Sequence, residues 1–293
     1  MNVLVTGGTG FVGRHLVRHL ASDGMNVRVA SRSEPRVLPA GVTHVEADVT
    51  EPSSLPAALA GADAVVHLTA IIVERGSQTF ERVNHHGTRN MIEAMRTAGV
   101  PRLVHMSALG VGPDDRFPYL LTKWRGEEAV RASDLTWTVL RPSVVHGEGC
   151  GFFRPIVWTL RWMPVYPMVA RGRTRFTPLW IDDLARCVAA CLRGEHAGAT
   201  LDLGGPETLL FSDIVRIVME ALGKRRRVVP TPVWAARPFA FTQGLRRDPL
   251  VTNQQLDMVV LDNSCPTDSV DRAFGFRPKR MTETDLRWLA RLA

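Results

Sequence analysis

The octapeptide Thr6-Gly7-Gly8-Thr9-Gly10-Phe11-Val12-Gly13 constrains this chain more than any other feature. It stands directly after a β-branched run, Val3–Thr6, and directly before a segment with helical spacing, Phe11–Ser22. It satisfies both T-G-x-x-G-x-x-G and G-x-G-x-x-G. Glycine is required where a strand turns sharply into a helix, where backbone must approach a diphosphate, and where the helix packs closely on the strand, the place of Gly13. The open N–H groups of such a helix start and the positive end of its dipole hold phosphate. A dinucleotide seated on Gly7, Thr9, Gly10, Phe11, Val12 and Gly13 is the expectation.

The sequence after this turn has the rhythm that such a site needs. Val27–Ala30, His44–Ala47, Ala64–Leu68, Leu103–Met106 and Trp137–Leu140 read as further strands, and Pro52–Ala60, Thr79–Ala98 and Tyr119–Ala132 as helices. Gly24, Gly61 and Gly99 serve as helix stop signals. This alternation specifies a doubly wound parallel α/β sheet of Rossmann type, covered by helices on both faces. Past Arg141-Pro142 the rhythm breaks into Gly- and Pro-rich sequence, then Phe176–Trp180, a helix over Asp182–Leu192 and a strand over Thr200–Leu203. We expect a nucleotide-binding core over 1–145 and a smaller α+β substrate or partner lobe over 146–293, threaded back onto the core as one structural domain. No repeat or long linker separates them.

Composition narrows the function classes. With 45% hydrophobic and 22% charged residues among 293, disorder and fibrous folds are excluded. Cys150, Cys187, Cys191 and Cys265 form no C-x-x-C pair and read as buried thiols of a reducing compartment. Met1 runs straight into a strand, without a leader, and Phe152–Ala170 carries Arg154, Arg161 and three prolines, so the expected location is cytoplasmic, with no spanning helix. The formal charge of +7 reads as dispersed, which argues against nucleic acid; the dense run Lys224–Arg227 reads as a solvated helix end and strand start, or else a phosphate or lipid contact.

Around the glycine turn, Ala30-Ser31-Arg32-Ser33 places a cation where an acidic residue would bind a ribose 2′-hydroxyl. Arginine pairs with a 2′-phosphate through its planar fork, so NADP is expected, with NAD the alternative. Asp48-Val49 is placed to meet the adenine or, through Asp48, to cap the next helix. Leu68, Thr69 and Ala70, after the fourth strand, are expected to line the cofactor.

The chain has two tyrosines and three lysines, and Tyr119-Leu-Leu-Thr-Lys123 puts one of each on a single helical face. An ammonium so placed would lower the tyrosine pKa and contact the nicotinamide ribose, and the tyrosine would act as general acid or base at a carbonyl or carbinol. Ser107, after the strand Leu103–Met106, can hydrogen-bond the same oxygen. The competing reading is an ordinary helix face with Tyr119 packed and Lys123 solvated.

Together, Thr6–Gly13, Val83-Asn84, Ser107, Tyr119–Lys123 and Leu140-Arg141-Pro142 resemble the short-chain dehydrogenase/reductase superfamily in its extended or atypical branch. Tyr119–Arg131, Trp137–Ser143 and Arg171–Asp183 are similar to the atypical subgroup that includes the Rossmann-fold accessory subunit of respiratory complex I. The resemblance implies Tyr119 as acid/base, Lys123 on the ribose and tyrosine, Ser107 on the substrate oxygen, and Asn84 supporting a proton path. One departure counts against a nucleotide-sugar substrate: Tyr119 follows Ser107 by only twelve positions, without the Tyr-Gly string typical of extended epimerases. Members of the atypical subgroup often lack a full active site and bind NADPH as a structural or sensing ligand.

His67, His105 and His85-His86 read as core or helix-surface histidines, and no metal site is expected. Phe152–Met163 puts aromatics and two arginines on a short helix, read as a wall of the substrate cleft or as a peripheral membrane or quinone-facing contact. The leading expectation is an NADPH-dependent oxidoreductase for a small, apolar carbonyl or quinone-related substrate. The alternatives are a non-catalytic NADPH-binding scaffold of a membrane assembly and an NAD-dependent epimerase.

Overall fold

The computed structural model describes residues 1–244, 246 and 248–292. In chain order its strands are β1 (Asn2–Thr6), β2 (Asn26–Ser31), β3 (Thr43–Glu46), β4 (Ala64–His67), β5 (Arg102–Met106), β6 (Thr136–Pro142), β7 (Val145–His146), β8 (Val165–Met168), β9 (Arg175–Phe176), β10 (Leu179–Trp180), β11 (Ala199–Leu203), β12 (Leu209–Leu210) and β13 (Arg227–Pro230). Its α-helices are α1 (Phe11–Ser22), α2 (Leu55–Leu59), α3 (Gly87–Ala98), α4 (Pro118–Arg131), α5 (Arg154–Trp162), α6 (Ile181–Leu192), α7 (Phe211–Ala221), α8 (Val233–Gly244), α9 (Asn253–Met258) and α10 (Ser269–Phe274).

Two compact units result. The first comprises 1–142 and 181–202, the second 143–180 and 203–293. In the first, the sheet runs β11-β6-β5-β4-β1-β2-β3, and β1 to β6 are joined in parallel. Helices cover both faces, which is why Val3-Leu4-Val5 and Ala64-Val65-Val66 are unbroken apolar runs rather than alternating ones. Period-two alternation sorts the side chains: Leu4, Ala30, Val65 and Leu103 enter one core with Leu55, Met91 and Met95, whereas Val29 points to the side of Val17 on α1. The chain winds outward through β2 and β3 and then returns to the other side of β1 to lay down β4. The strand order therefore reverses between β1 and β4, the switch point at whose carboxyl ends open α/β sheets bind their ligands, and the glycine turn follows directly on β1.

The doubly wound expectation holds, with local differences. β3 begins one residue earlier than the sequence pattern suggests. The helix expected over Pro52–Ala60 is a 3-10 turn, Pro52–Ser54, followed by the short α2, because Pro52 and Pro56 each remove an N–H donor. The helix expected over Thr79–Ala98 opens with a π-helical stretch, Glu81–His86, before α3. Tertiary contacts accompany that widening: Gly87 sits against Val49, and Asn84 is tied to Ile71.

The second unit holds the pairings β10 with β7, β12 with β9 and β13 with β8. Its core is aromatic: Phe152 and Phe153 of the turn before α5 meet Phe176, Phe211 and Trp288 edge-on or tilted. Of the four free cysteines, Cys150, Cys187 and Cys191 are buried and Cys265 is half-buried, as expected. No helix among the described residues is long and apolar enough to cross a membrane.

Candidate functional site

β1 delivers the chain into the glycine turn, where Gly7 adopts φ +69°. A Cβ there would stand 3.0 Å from the Leu68 carbonyl carbon and the Thr69 nitrogen, so the loop after β4 lies hard against the turn. Leu68 and Thr69 thus lie against the glycine turn, while Ala70 is exposed beside them. Gly10 donates to the Gly7 carbonyl at 3.0 Å and forms the N-cap of α1 without a capping side chain. No acidic residue stands in the first turn of α1. The leading N–H groups, those of Phe11, Val12 and Gly13, have no intrahelical acceptor and no capping side chain at Gly10. This cradle fits a diphosphate.

Gly13 is the tightest point. A Cβ at this residue would fall 2.3 Å from the Gly7 carbonyl oxygen and 2.5 Å from the Gly8 Cα, all of it backbone. Gly13→Ala is expected to lower unfolding stability by about 1–3 kcal/mol and to weaken NADPH binding at least ~10-fold, read by a denaturant melt and a fluorescence titration of the same preparation. Unchanged affinity would remove the turn from the cofactor site.

Arg32 is exposed immediately after β2, and no ion pair engages it among the described residues. Asp48 commits one carboxylate oxygen to Thr50, accepting from its N at 2.8 Å and its hydroxyl at 2.9 Å. This closes the turn ahead of Pro52–Ser54 and leaves the other oxygen for a ligand. Val49 departs from expectation. Its side chain is buried against Gly87, and its carbonyl accepts from Asn90 at 2.9 Å, so only its N–H remains to meet a base.

α4 carries Tyr119 in its first turn, entered through Pro118. The phenol ring packs edge-on against Phe80 at 5.9 Å, and burial pushes its pKa up to about 12. The expected lowering by the lysine is therefore not found. Lys123 is buried and reaches back to donate to the Met106 carbonyl at the end of β5. Burial lowers its pKa to about 8 against the opposing pull of Glu127. Ser107 is buried at the end of β5, and its hydroxyl has no hydrogen-bond partner among the described residues, although it lies near enough to Glu127 to help hold that carboxyl's pKa down. Asn84 is buried in the π-helical stretch, accepting from Ile71 N at 2.9 Å and donating to Ile71 O at 3.2 Å and Thr122 Oγ1 at 3.4 Å. It ties the loop after β4 to α4, a positioning role.

Beneath these groups lies a network that sequence reading missed. Glu127, fully buried on α4, accepts a fork from Arg141 of β6, with Nε at 2.9 and 3.1 Å and Nη2 at 2.5 Å, and a further bond from Arg131 at 2.8 Å. The signal was a lone glutamate on the apolar face of α4 opposite a lone arginine in an apolar strand. His67 and His105 stack at 5.5 Å inside the sheet. The Thr88 hydroxyl donates to the Asn84 carbonyl at 2.8 Å and so accepts from His67 Nε2 at 3.3 Å, leaving His67 Nδ1 to accept from Thr6 at 2.8 Å. Burial and the Lys123 charge hold His67 at a pKa of about 3 and His105 well below its usual value, so both are neutral.

The π-helical turn also gathers Glu81, His85 and His86, whose donor atoms lie within 4.8 Å of one another, a cluster that an α-helical reading of these positions does not reveal. Glu81 already accepts from His85 at 2.6 Å and from Arg125 at 3.0 Å, and that guanidinium opposes a metal cation.

With this geometry in hand, comparison with known proteins is direct. The NAD(P)H-binding family matches residues 7–151. A ceramide reductase of Caulobacter vibrioides is 31% identical over 95% of this chain and 97% of its own length. The mitochondrial NADH dehydrogenase [ubiquinone] 1 alpha subcomplex subunit 9 of Arabidopsis thaliana is 29% identical over 80% of this chain and 61% of its own length. Among solved structures, MoeE5 in complex with UDP-glucuronic acid and NAD superposes with a TM-score of 0.75 over 99% of both chains at 23% identity, a likeness of fold.

Proposed function

Because the chain belongs to the NAD(P)H-binding family of short-chain dehydrogenase/reductase proteins, we propose that it is an NADPH-dependent oxidoreductase that reduces a hydrophobic carbonyl, with Tyr119 as proton donor. The observation that carries this reading is the position of Tyr119. It opens α4, which follows β5, in the same unit as the glycine turn that follows β1, and β1 and β5 run in the same direction on either side of β4.

NADPH supplies a hydride when bound. The residues of this chain would hold it and manage the proton. The N–H groups of Phe11, Val12 and Gly13 take the diphosphate, and Arg32 takes the 2′-phosphate that favours NADP over NAD. A phenol held at about 12 is protonated at neutral pH, so Tyr119 is an acid that donates to a carbonyl oxygen, which suits reduction. The whole-length match to a reductase named for a lipid supports an apolar substrate over a sugar nucleotide.

The test is a fluorescence titration with NADPH and NADH, followed by consumption of NADPH with long-chain oxo compounds and quinones. NADPH is expected to bind more tightly than NADH, and Arg32→Glu to weaken NADPH on the order of tenfold or more while sparing NADH. Equal affinities in the wild type would overturn the NADP assignment. A second reading, NADPH binding without turnover as a scaffold, draws on one observation: the Lys123 ammonium is committed to the Met106 carbonyl, so the cation expected on the ribose and the tyrosine is engaged inside the protein. Tight NADPH binding without consumption by any compound would favour it.

A further inference from the structure

The positive charge that reads as dispersed along the chain is concentrated. Between Glu220 and Asp248 stand seven cations and no acid, which equals the entire formal charge of +7, so the remainder of the chain is neutral. The same stretch carries exposed apolar surface. α8 is apolar on all sides, with Val233, Trp234, Ala235, Ala236, Phe239, Ala240 and Phe241, yet only Ala240 and Gln243 are buried. Trp234 is 73%, Phe241 63% and Phe239 42% exposed. A helix hydrophobic all round is built to be covered. β13, whose four residues are all exposed, adds Val228 and Val229. The end of α5 joins the patch: Trp158 packs on Phe239 at 5.8 Å, Arg226 Nε donates to the Leu160 carbonyl at 3.1 Å, and Trp162 is 68% exposed. Arg226 is thereby anchored, and Lys224, Arg225 and Arg227 are left in solvent.

We propose that this face docks on an anionic lipid bilayer, with Trp234, Phe239 and Phe241 entering the headgroup region and Lys224, Arg225 and Arg227 meeting lipid phosphates. Exposed aromatics beside Lys224, Arg225 and Arg227, none of which is ion-paired among the described residues, match the chemistry of that interface, while Arg237 of α8 is paired with Asp257 of α9. A second copy of this chain suits it poorly, since self-pairing would bring two sets of the exposed Lys224, Arg225 and Arg227 together. The helix expected to make the membrane contact, in Phe152–Met163, contributes only its exposed end, because Ile156, Val157 and Leu160 are buried. This docking stands apart from the reductase reading and needs no turnover.

The test is flotation of the full chain with vesicles of phosphatidylglycerol and phosphatidylcholine, against vesicles of phosphatidylcholine alone. Binding to the anionic vesicles is expected, weakening with salt and falling on the order of fivefold for each of Lys224→Glu, Arg225→Glu and Arg227→Glu. Trp234→Leu is expected to remove most of the fluorescence quenching by brominated lipid, with the thermal midpoint unchanged. No flotation of the wild type, or flotation that these four variants leave intact, would overturn the proposal. So would a concentration-dependent dimer in sedimentation that Phe241→Ser abolishes, which would assign the face to a second copy.

Discussion

Glu127→Ala is expected to lower unfolding stability by about 3–5 kcal/mol, measured as the midpoint and slope of urea denaturation. The carboxylate is fully buried and takes the guanidinium fork of Arg141 and a single bond from Arg131. Its removal leaves Arg141 between α4 and β6 with only the more distant Asp202, 3.9 Å away, as an acidic partner. It also removes the negative charge that supports the Lys123 ammonium, so the lysine should titrate still lower. Glu127→Gln, which keeps shape and two polar atoms, should cost less, and the double change Glu127→Leu with Arg141→Met should recover part of the loss, because an apolar pair leaves no charge behind. A destabilisation below about 1 kcal/mol, the range of a surface pair, would show that the network is not the structural centre of this end of the sheet.

Tyr119→Phe is expected to lower kcat for NADPH-dependent reduction by about 10²–10⁴-fold while leaving NADPH affinity within about twofold. The split follows from position. The diphosphate cradle is made by backbone at the start of α1, and the phenol belongs to α4 and Phe80. The wild-type pH profile adds a check on sign. With Tyr119 near 12, the acid stays protonated through neutrality, so no loss of donor is expected until strongly alkaline pH. With Lys123 near 8, its ammonium is present below that pH and is lost as pH rises through it. An activity that falls above about 8 therefore reports the lysine. Activity that survives Tyr119→Phe would exclude this tyrosine as the donor.

Much of the site was legible along the chain because local steric rules write it there. A strand, a turn that tolerates only glycine at its tight points and a helix start occupy the twelve consecutive residues Asn2–Gly13, and Gly7 and Gly13 meet backbone in the way the motif demands. The alternation of apolar runs with helical spacing was enough for the doubly wound sheet, since each strand must be apolar on both faces once helices cover both. Arg32 after β2 and Tyr119 and Lys123 four apart on α4 were likewise visible as residue types at positions set by that sheet.

What escaped the sequence depends on where side chains turn once elements pack. Lys123 was expected to face a ribose; the fold points it at the Met106 carbonyl, because a buried ammonium must find a polar partner inside the protein. The π-helical turn at Glu81–His86 and the partnership of Glu127 with Arg141 join residues whose pairing no local periodicity encodes. The sequence by itself determined the sheet, the phosphate cradle and the family, because those rest on backbone sterics and hydrophobic period. Only the tertiary structure decided which polar groups are committed within the protein and which face outward, because desolvation is settled by neighbours from distant segments rather than by spacing along the chain.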